Sequence, residues 1–235
     1  MPTGRRRTAI PGTDLSVHPF CLGTGPFGDA IPEERAFDLL DRFRATGGNF
    51  VDTANVYGRW LPAGENVGEA ILGRYLRARR ASLGEDPLVI ATKGAHPALS
   101  DMGRPRMRPA DLRQDLEDSL RTLGLERIDF YWLHRDAPSL PADAILEPLE
   151  RFREEGKVRW IGCSNWRASR VAEARDAARK AGVPGFCAVQ DRWSLAALNP
   201  GASPDPTLVA MDDDLYALHL ETGLAAIPYS AQAGG

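Results

Sequence analysis

Short apolar runs alternate with amphipathic stretches along almost the whole chain. Residues 20–23, 49–52, 88–93, 128–134, 158–164, 186–190 and 224–229 are compact apolar runs bounded by turn-forming residues, which predicts seven buried strands. Between them, 32–45, 64–80, 109–123, 142–155, 169–181 and 211–222 carry apolar residues at helical spacing. In 32–45 the face is Ala36, Leu39, Leu40 and Phe43; in 109–123 it is Leu112, Leu116, Leu120 and Leu123. Gly47-Gly48, Gly156, Gly182 and Gly223 follow helix ends, where a left-handed residue stops the turn. Pro109 suits a first helical turn because its missing N–H would have no partner there. Ahead of the first strand, 7–17 reads as a small hairpin turned at Pro11-Gly12-Thr13-Asp14.

A strand recurs every 30 to 40 residues without a residue-level repeat, so the pattern is one of βα units and not of a solenoid. No linker divides the chain, and 1–235 reads as a single domain. Such units close into a barrel or open into a doubly wound sheet. Asp52, Lys93, His134, Ser164-Asn165, Gln190 and Tyr229 all fall at strand C-terminal ends. Only a barrel brings all those ends to one mouth, so a barrel is expected.

Composition narrows the class. With 235 residues, 43% hydrophobic, 26% charged and a formal net charge of -3, the chain is of ordinary globular type. A pI near 5.9 argues against nucleic-acid binding, and no run is long enough for a membrane helix. Arg5, Arg6 and Arg7 have no apolar run behind them, so no secretory signal is read and the cytoplasm is the expected compartment. Cys21, Cys163 and Cys187 form no CxxC pair and are expected to be free thiols, and no metal site is expected.

Gly23-Thr24-Gly25-Pro26-Phe27-Gly28 fits GxGxxG after a strand, but Pro26 interrupts it and the helix is expected only from about residue 32. The dinucleotide fingerprint needs a helix opening within the glycines, so this segment is read as a loop over the barrel mouth, where Phe27 can touch a substrate.

Asp52, Tyr57, Lys93 and His134 form a chemically coherent set. A tyrosine hydroxyl, with an ordinary pKa of about 10, becomes a usable acid beside a cation. Lys93 supplies that cation, Asp52 holds it, and His134 orients a carbonyl oxygen. The set suits protonation of an oxygen while hydride reaches the carbon.

The strings around these residues are specific. Asn49-Phe50-Val51-Asp52-Thr53-Ala54-Asn55-Val56-Tyr57-Gly58 resembles the signature of the aldo-keto reductase family around its catalytic Asp and Tyr. Residues 64–69 and Leu72-Gly73 resemble the segment that follows. Residues 89–93 resemble the catalytic-lysine strand, and LEDSLRTLGLERIDFYWLH, ending at His134, the approach to the catalytic His. Residues 156–165 resemble the strand whose Ser-Asn pair binds the nicotinamide amide; Val189-Gln190 and Pro228-Tyr229-Ser230 resemble later cofactor contacts. The resemblance implies a (β/α)8 TIM barrel with an N-terminal β-hairpin, binding NADP(H) without a Rossmann motif. It implies Tyr57 as general acid, Lys93, Asp52 and His134 in support, Ser164, Asn165 and Gln190 on the carboxamide, and Tyr229, with Ser230 beside it, at the nicotinamide ring. Phe27, Trp60 and Trp166 sit on post-strand loops and are expected to line an apolar pocket for a small carbonyl or alcohol substrate.

The pattern supplies about seven βα units where the family barrel has eight. A C-terminally incomplete barrel is therefore expected, without the segment that, by the resemblance, grips the cofactor's adenosine phosphate. Open edges on the first and last strands make self-association an expectation. A non-catalytic aldo-keto-reductase-like fragment is the alternative function.

Overall fold

The computed structural model describes residues 7–84, 86–196, 199 and 205–232, so Arg5, Arg6 and 233–235 lie outside the described residues. Thr8–Ala9 (β1) and Ser16–Val17 (β2) pair antiparallel as the expected hairpin. Then come Leu22–Gly23 (β3), Glu33–Ala45 (α1), Phe50–Asp52 (β4), Val67–Ala78 (α2), the short Arg80–Leu83 (α3) and Val89–Gly94 (β5). Pro109–Leu123 (α4), Ile128–Leu133 (β6), Ala142–Glu154 (α5), Val158–Ser164 (β7), Ala168–Ala181 (α6), Phe186–Gln190 (β8), Asp213–Thr222 (α7) and Ala225–Ala226 (β9) complete the described elements.

The seven strands β3 to β9 are parallel and lie in chain order across one sheet. A doubly wound sheet would reverse its order at a switch point, and this one does not. The sheet is also strongly curled. Gln190, on β8, places its side-chain Nε2 3.3 Å from Asp52 Oδ1, on β4. In a flat sheet, four strand spacings would separate them by roughly 19 Å. The architecture of the described residues is a seven-stranded partial barrel of (β/α)8 type, with helices packed outside the curl.

The period-2 alternation of strands explains why one sequence builds both a core and a site. Phe50, Ala91, Phe130, Trp132 and Ala188 pack together inside the curl, closed from below by Ile10, Leu15 and Val17 of the hairpin. Two residues further along their strands come Asp52, Lys93, His134 and Gln190. The lower interior is thus apolar and its upper rim polar. Gly162 leaves room for this filling: a Cβ there would stand 2.4 Å from the Trp132 ring. A second, larger cluster, including Leu40, Ile71, Leu112, Leu116, Ile145 and Leu149, seals helices to the outer sheet face.

Several boundaries differ from expectation for local reasons. The first strand is shorter because Phe20 is 75% exposed and outside the ladder. The second helix starts at Val67, since Gly64 takes a positive φ and Asn66 caps the helix by accepting the Glu69 N–H. Asp212 caps α7 by accepting the Leu215 N–H, so that helix starts at Asp213. β9 is two residues long, yet Ile227 and Tyr229 N–H groups still donate to Val189 and Asp191 carbonyls beyond it. Among the described residues, no helix is long and apolar enough to cross a membrane, and no cluster of potential metal ligands occurs. Cys21, Cys163 and Cys187 are free thiols.

Candidate active site

The chain places Tyr57 over the sheet by a tight turn after β4. Backbone bonds continue the ladder upward, from Thr53 N–H to Ala91 and from Asn55 N–H to Lys93, and the Tyr57 N–H then closes on Ala54. Gly58 takes φ +91, and a Cβ there would meet Val67 Cβ at 2.7 Å, so a side chain at this position would push α2 off the tyrosine.

Asp52, Lys93 and Tyr57 come together. The Lys93 ammonium is buried and makes three hydrogen bonds: a very short one to Asp52 Oδ2, one to the Thr53 carbonyl at 2.8 Å and one to Tyr57 Oη at 3.2 Å. Its nitrogen also lies 4.9 Å from the Tyr57 ring centroid. Burial opposes the ammonium charge, but the Asp52 carboxylate and the Tyr57 oxygen outweigh it and hold the Lys93 pKa above the ordinary lysine value. A permanent cation therefore sits against the phenol oxygen.

His134 stands at the end of β6, its N–H donating to the Gly94 carbonyl. Its ring meets Tyr57 edge-on with centroids 6.0 Å apart, and His96 at 4.8 Å. Burial first, then the Lys93, His96 and Arg135 charges, push its pKa well below the ordinary 6.5. At neutral pH it is an uncharged imidazole, able to donate one hydrogen bond to a carbonyl oxygen. Its Nδ1 is buried without a partner among the described residues.

The residues expected to hold the carboxamide are adjacent on β7 and β8. Ser164 Oγ donates to the Gln190 carbonyl at 2.6 Å. Asn165, in a left-handed conformation at φ +61, is buried and fully engaged. Its Nδ2 donates to the His134 carbonyl and Ser164 Oγ, and its Oδ1 accepts from Tyr229 Oη at 2.8 Å and the Val209 N–H at 3.1 Å. Gln190 Oε1, by contrast, is buried with no partner among the described residues. That orphan acceptor fits an amide N–H. Ser230 is exposed, with φ +55.

Of the three expected pocket aromatics, one lies beside Tyr57. Trp60 is 47% exposed, edge-on to Tyr57 at 6.2 Å, and its indole N–H donates to Asp29. Phe27 and Trp166 require correction. Phe27 is buried in the main core because the 24–31 turn is pinned by its own backbone bonds, with Gly28 donating to Ile31. Trp166 is fully buried against Phe186, its N–H donating to the Arg135 carbonyl. Neither faces an open pocket. The helix after the GxGxxG string begins at Glu33, past the glycines as expected.

Asp191 and Glu69 are buried carboxyls to which the sequence assigns no role. Asp191 accepts the Asn165 N–H beside the cofactor candidates, and burial raises its pKa to about 7. A polar residue directly after a strand-end Gln was its signal. Glu69 is wholly buried on α2, bonded by Thr92 Oγ1 and Asn66 Nδ2 through very short hydrogen bonds. Asn66 accepts the Glu69 N–H and returns a side-chain N–H to the Glu69 carboxylate, a relative of the capping box legible as N-x-x-E. Burial outweighs these bonds and raises the Glu69 pKa from 4.5 to about 7. The folded chain then holds a proton that the unfolded chain has released. Glu69 should stabilise fully below about pH 4.5 and lose on the order of 3 kcal/mol as pH rises through 7. Glu69→Gln should flatten that loss in urea unfolding between pH 5 and 8; an unchanged slope would count against it.

Comparison with known proteins places this geometry. A sequence model of the aldo/keto reductase family matches residues 19–235. Norsolorinic acid reductase stcV of Emericella nidulans is 32% identical over 82% of this chain and 51% of its own length. An aryl-alcohol dehydrogenase (NADP(+)) of Phanerodontia chrysosporium is 28% identical, covering 99% of this chain and 60% of that protein. The uncharacterized oxidoreductase YrpG of Bacillus subtilis is 32% identical over 97% of this chain and 67% of its own. The chain thus spans between about half and two thirds of the length of these relatives. The match across nearly all its residues, on a barrel carrying these strand ends, shows that the chain belongs to the aldo/keto reductase family.

Proposed function

We propose that this chain reduces an aldehyde or ketone to an alcohol with NADP(H), Tyr57 acting as the general acid. The observation that carries the reading is the Lys93 ammonium, held by Asp52 and donating to Tyr57 Oη. When bound, the cofactor would supply the hydride, with Gln190 Oε1, Ser164, Asn165 and Tyr229 as the residues to hold it. Engaging Asn165 means exchanging one of its present bonds, and the Tyr229 hydroxyl is the partner able to move, being partly exposed.

Each side chain has a definable task. Neutral His134 donates a hydrogen bond to the substrate oxygen and adds no competing charge. Tyr57 gives its proton to that oxygen as the carbonyl carbon is reduced. Lys93 stabilises the phenolate left behind, and Asp52 keeps the ammonium aimed at it. In the reverse direction the phenolate takes the proton back. Trp60, exposed beside Tyr57, offers an apolar face to the substrate body.

The cofactor half of the reading is tested by titrating the chain with NADPH and following tryptophan fluorescence. Micromolar binding is expected. No quenching at millimolar NADPH would overturn it in favour of a non-catalytic aldo-keto-reductase-like fragment.

A further inference from the structure

Beside the acid site lies a cavity of about 390 Å³, bounded by the loops after β4 and β5 and by α4. Asn55, Arg59, Lys93, His96, Leu99 and Arg106 are among its walls. Two of its wall residues contact the reacting groups, since Lys93 donates to Tyr57 Oη and His96 packs on His134.

Its charges are unequally paired. Lys93 is matched by Asp52, Arg106 by Asp115, and Asp118 by Arg121. Arg59 has no carboxylate in contact among the described residues. Its Nε donates to the Asn55 carbonyl at 2.9 Å and its Nη2 to the Asn55 side-chain oxygen at 2.8 Å, both neutral acceptors. Asn55 is itself buried, its Nδ2 donating to Ser119 Oγ and the Asp115 carbonyl. The guanidinium is therefore held by neutral acceptors, acts on the Glu69 and Asp115 carboxyls only from beyond ion-pair distance, is exposed to solvent, and leaves Nη1 without a partner among the described residues. That is the arrangement that receives a carboxylate. The exposed Leu99 adds apolar surface for the ligand's body.

The cofactor candidates Ser164, Asn165, Gln190 and Tyr229 are not among the residues that line this cavity. An anion at Arg59 thus belongs to the substrate and not to the cofactor.

We propose that Arg59 forms an anion-accepting subsite, and that the favoured substrates are carbonyl compounds carrying a carboxylate away from the reacting carbon. The substrate part rests on the carbonyl-reductase reading above; the binding part does not.

Two measurements on the full chain separate these. Calorimetric titration with benzoate should show binding to the wild type, weakened about tenfold to a hundredfold by Arg59→Gln and partly restored by Arg59→Lys. In NADPH-dependent turnover, the ratio of kcat/KM for 4-carboxybenzaldehyde over 4-methylbenzaldehyde should fall by a similar factor in Arg59→Gln. Equal benzoate affinity in wild type and Arg59→Gln, or none in the wild type, overturns the subsite. Arg59-dependent benzoate binding with no aldehyde turned over would uphold the subsite and sink the reductase reading instead.

Discussion

Tyr57→Phe is expected to lower NADPH-dependent aldehyde reduction by about 10²- to 10⁴-fold, the usual contribution of a positioned general acid. The substitution removes one hydroxyl and little else. The ring keeps its edge contacts with Trp60 and His134, and α2 still packs at its Cβ, where Gly68 makes the close approach. Lys93 retains Asp52 and the Thr53 carbonyl as partners. Fold and NADPH affinity should therefore be nearly unchanged, which unfolding and fluorescence titration of the same sample will show. Turnover near that of the wild type would remove Tyr57 from the role of acid.

Lys93→Met should cost more, because it damages both chemistry and fold. The ammonium is buried with Asp52, and methionine leaves that carboxylate with only the longer bond from Gln190. Removing one partner of a buried ion pair typically destabilises by about 3–5 kcal/mol, which corresponds to roughly 6–20 °C in Tm for a chain of this size. Adding Asp52→Asn to Lys93→Met removes the stranded charge. Stability should then recover in part while reduction stays lost, a split that a purely structural lysine would not produce. A single Lys93→Met variant that melts with the wild type would contradict the pairing.

The barrel was legible because two periodicities agreed. Apolar runs at strand length and stripes at helix spacing alternated in order, and polar residues recurred at strand ends. That logic locates Asp52, Lys93 and His134, the chemistry of a phenol beside a cation adds Tyr57, and the family strings make the set specific. It misplaced Phe27 and Trp166, since being on a loop after a strand does not tell which way an aromatic ring turns. Phe27 is drawn into the core by a turn bonded on itself, and Trp166 by the Arg135 carbonyl and Phe186. Nor could spacing show that Gln190 reaches Asp52 across the curled sheet, or that Asn165 is fully engaged by its neighbours. Those facts depend on closure, which no local pattern encodes. Arg59 was passed over for the same reason. One more arginine in a loop carries no signal until its partners prove to be neutral.

Tyr57, supported by Lys93, is expected to serve hydride transfer to a carbonyl. NADPH carrying deuterium at both nicotinamide C4 positions is incubated with an aldehyde and the chain, and the label is followed by mass spectrometry of the alcohol. The wild type should give alcohol with one deuterium on the carbinol carbon, and Tyr57→Phe only a trace. No labelled alcohol from a wild-type chain that binds NADPH, or equal yields from both chains, would rule out that role for Tyr57.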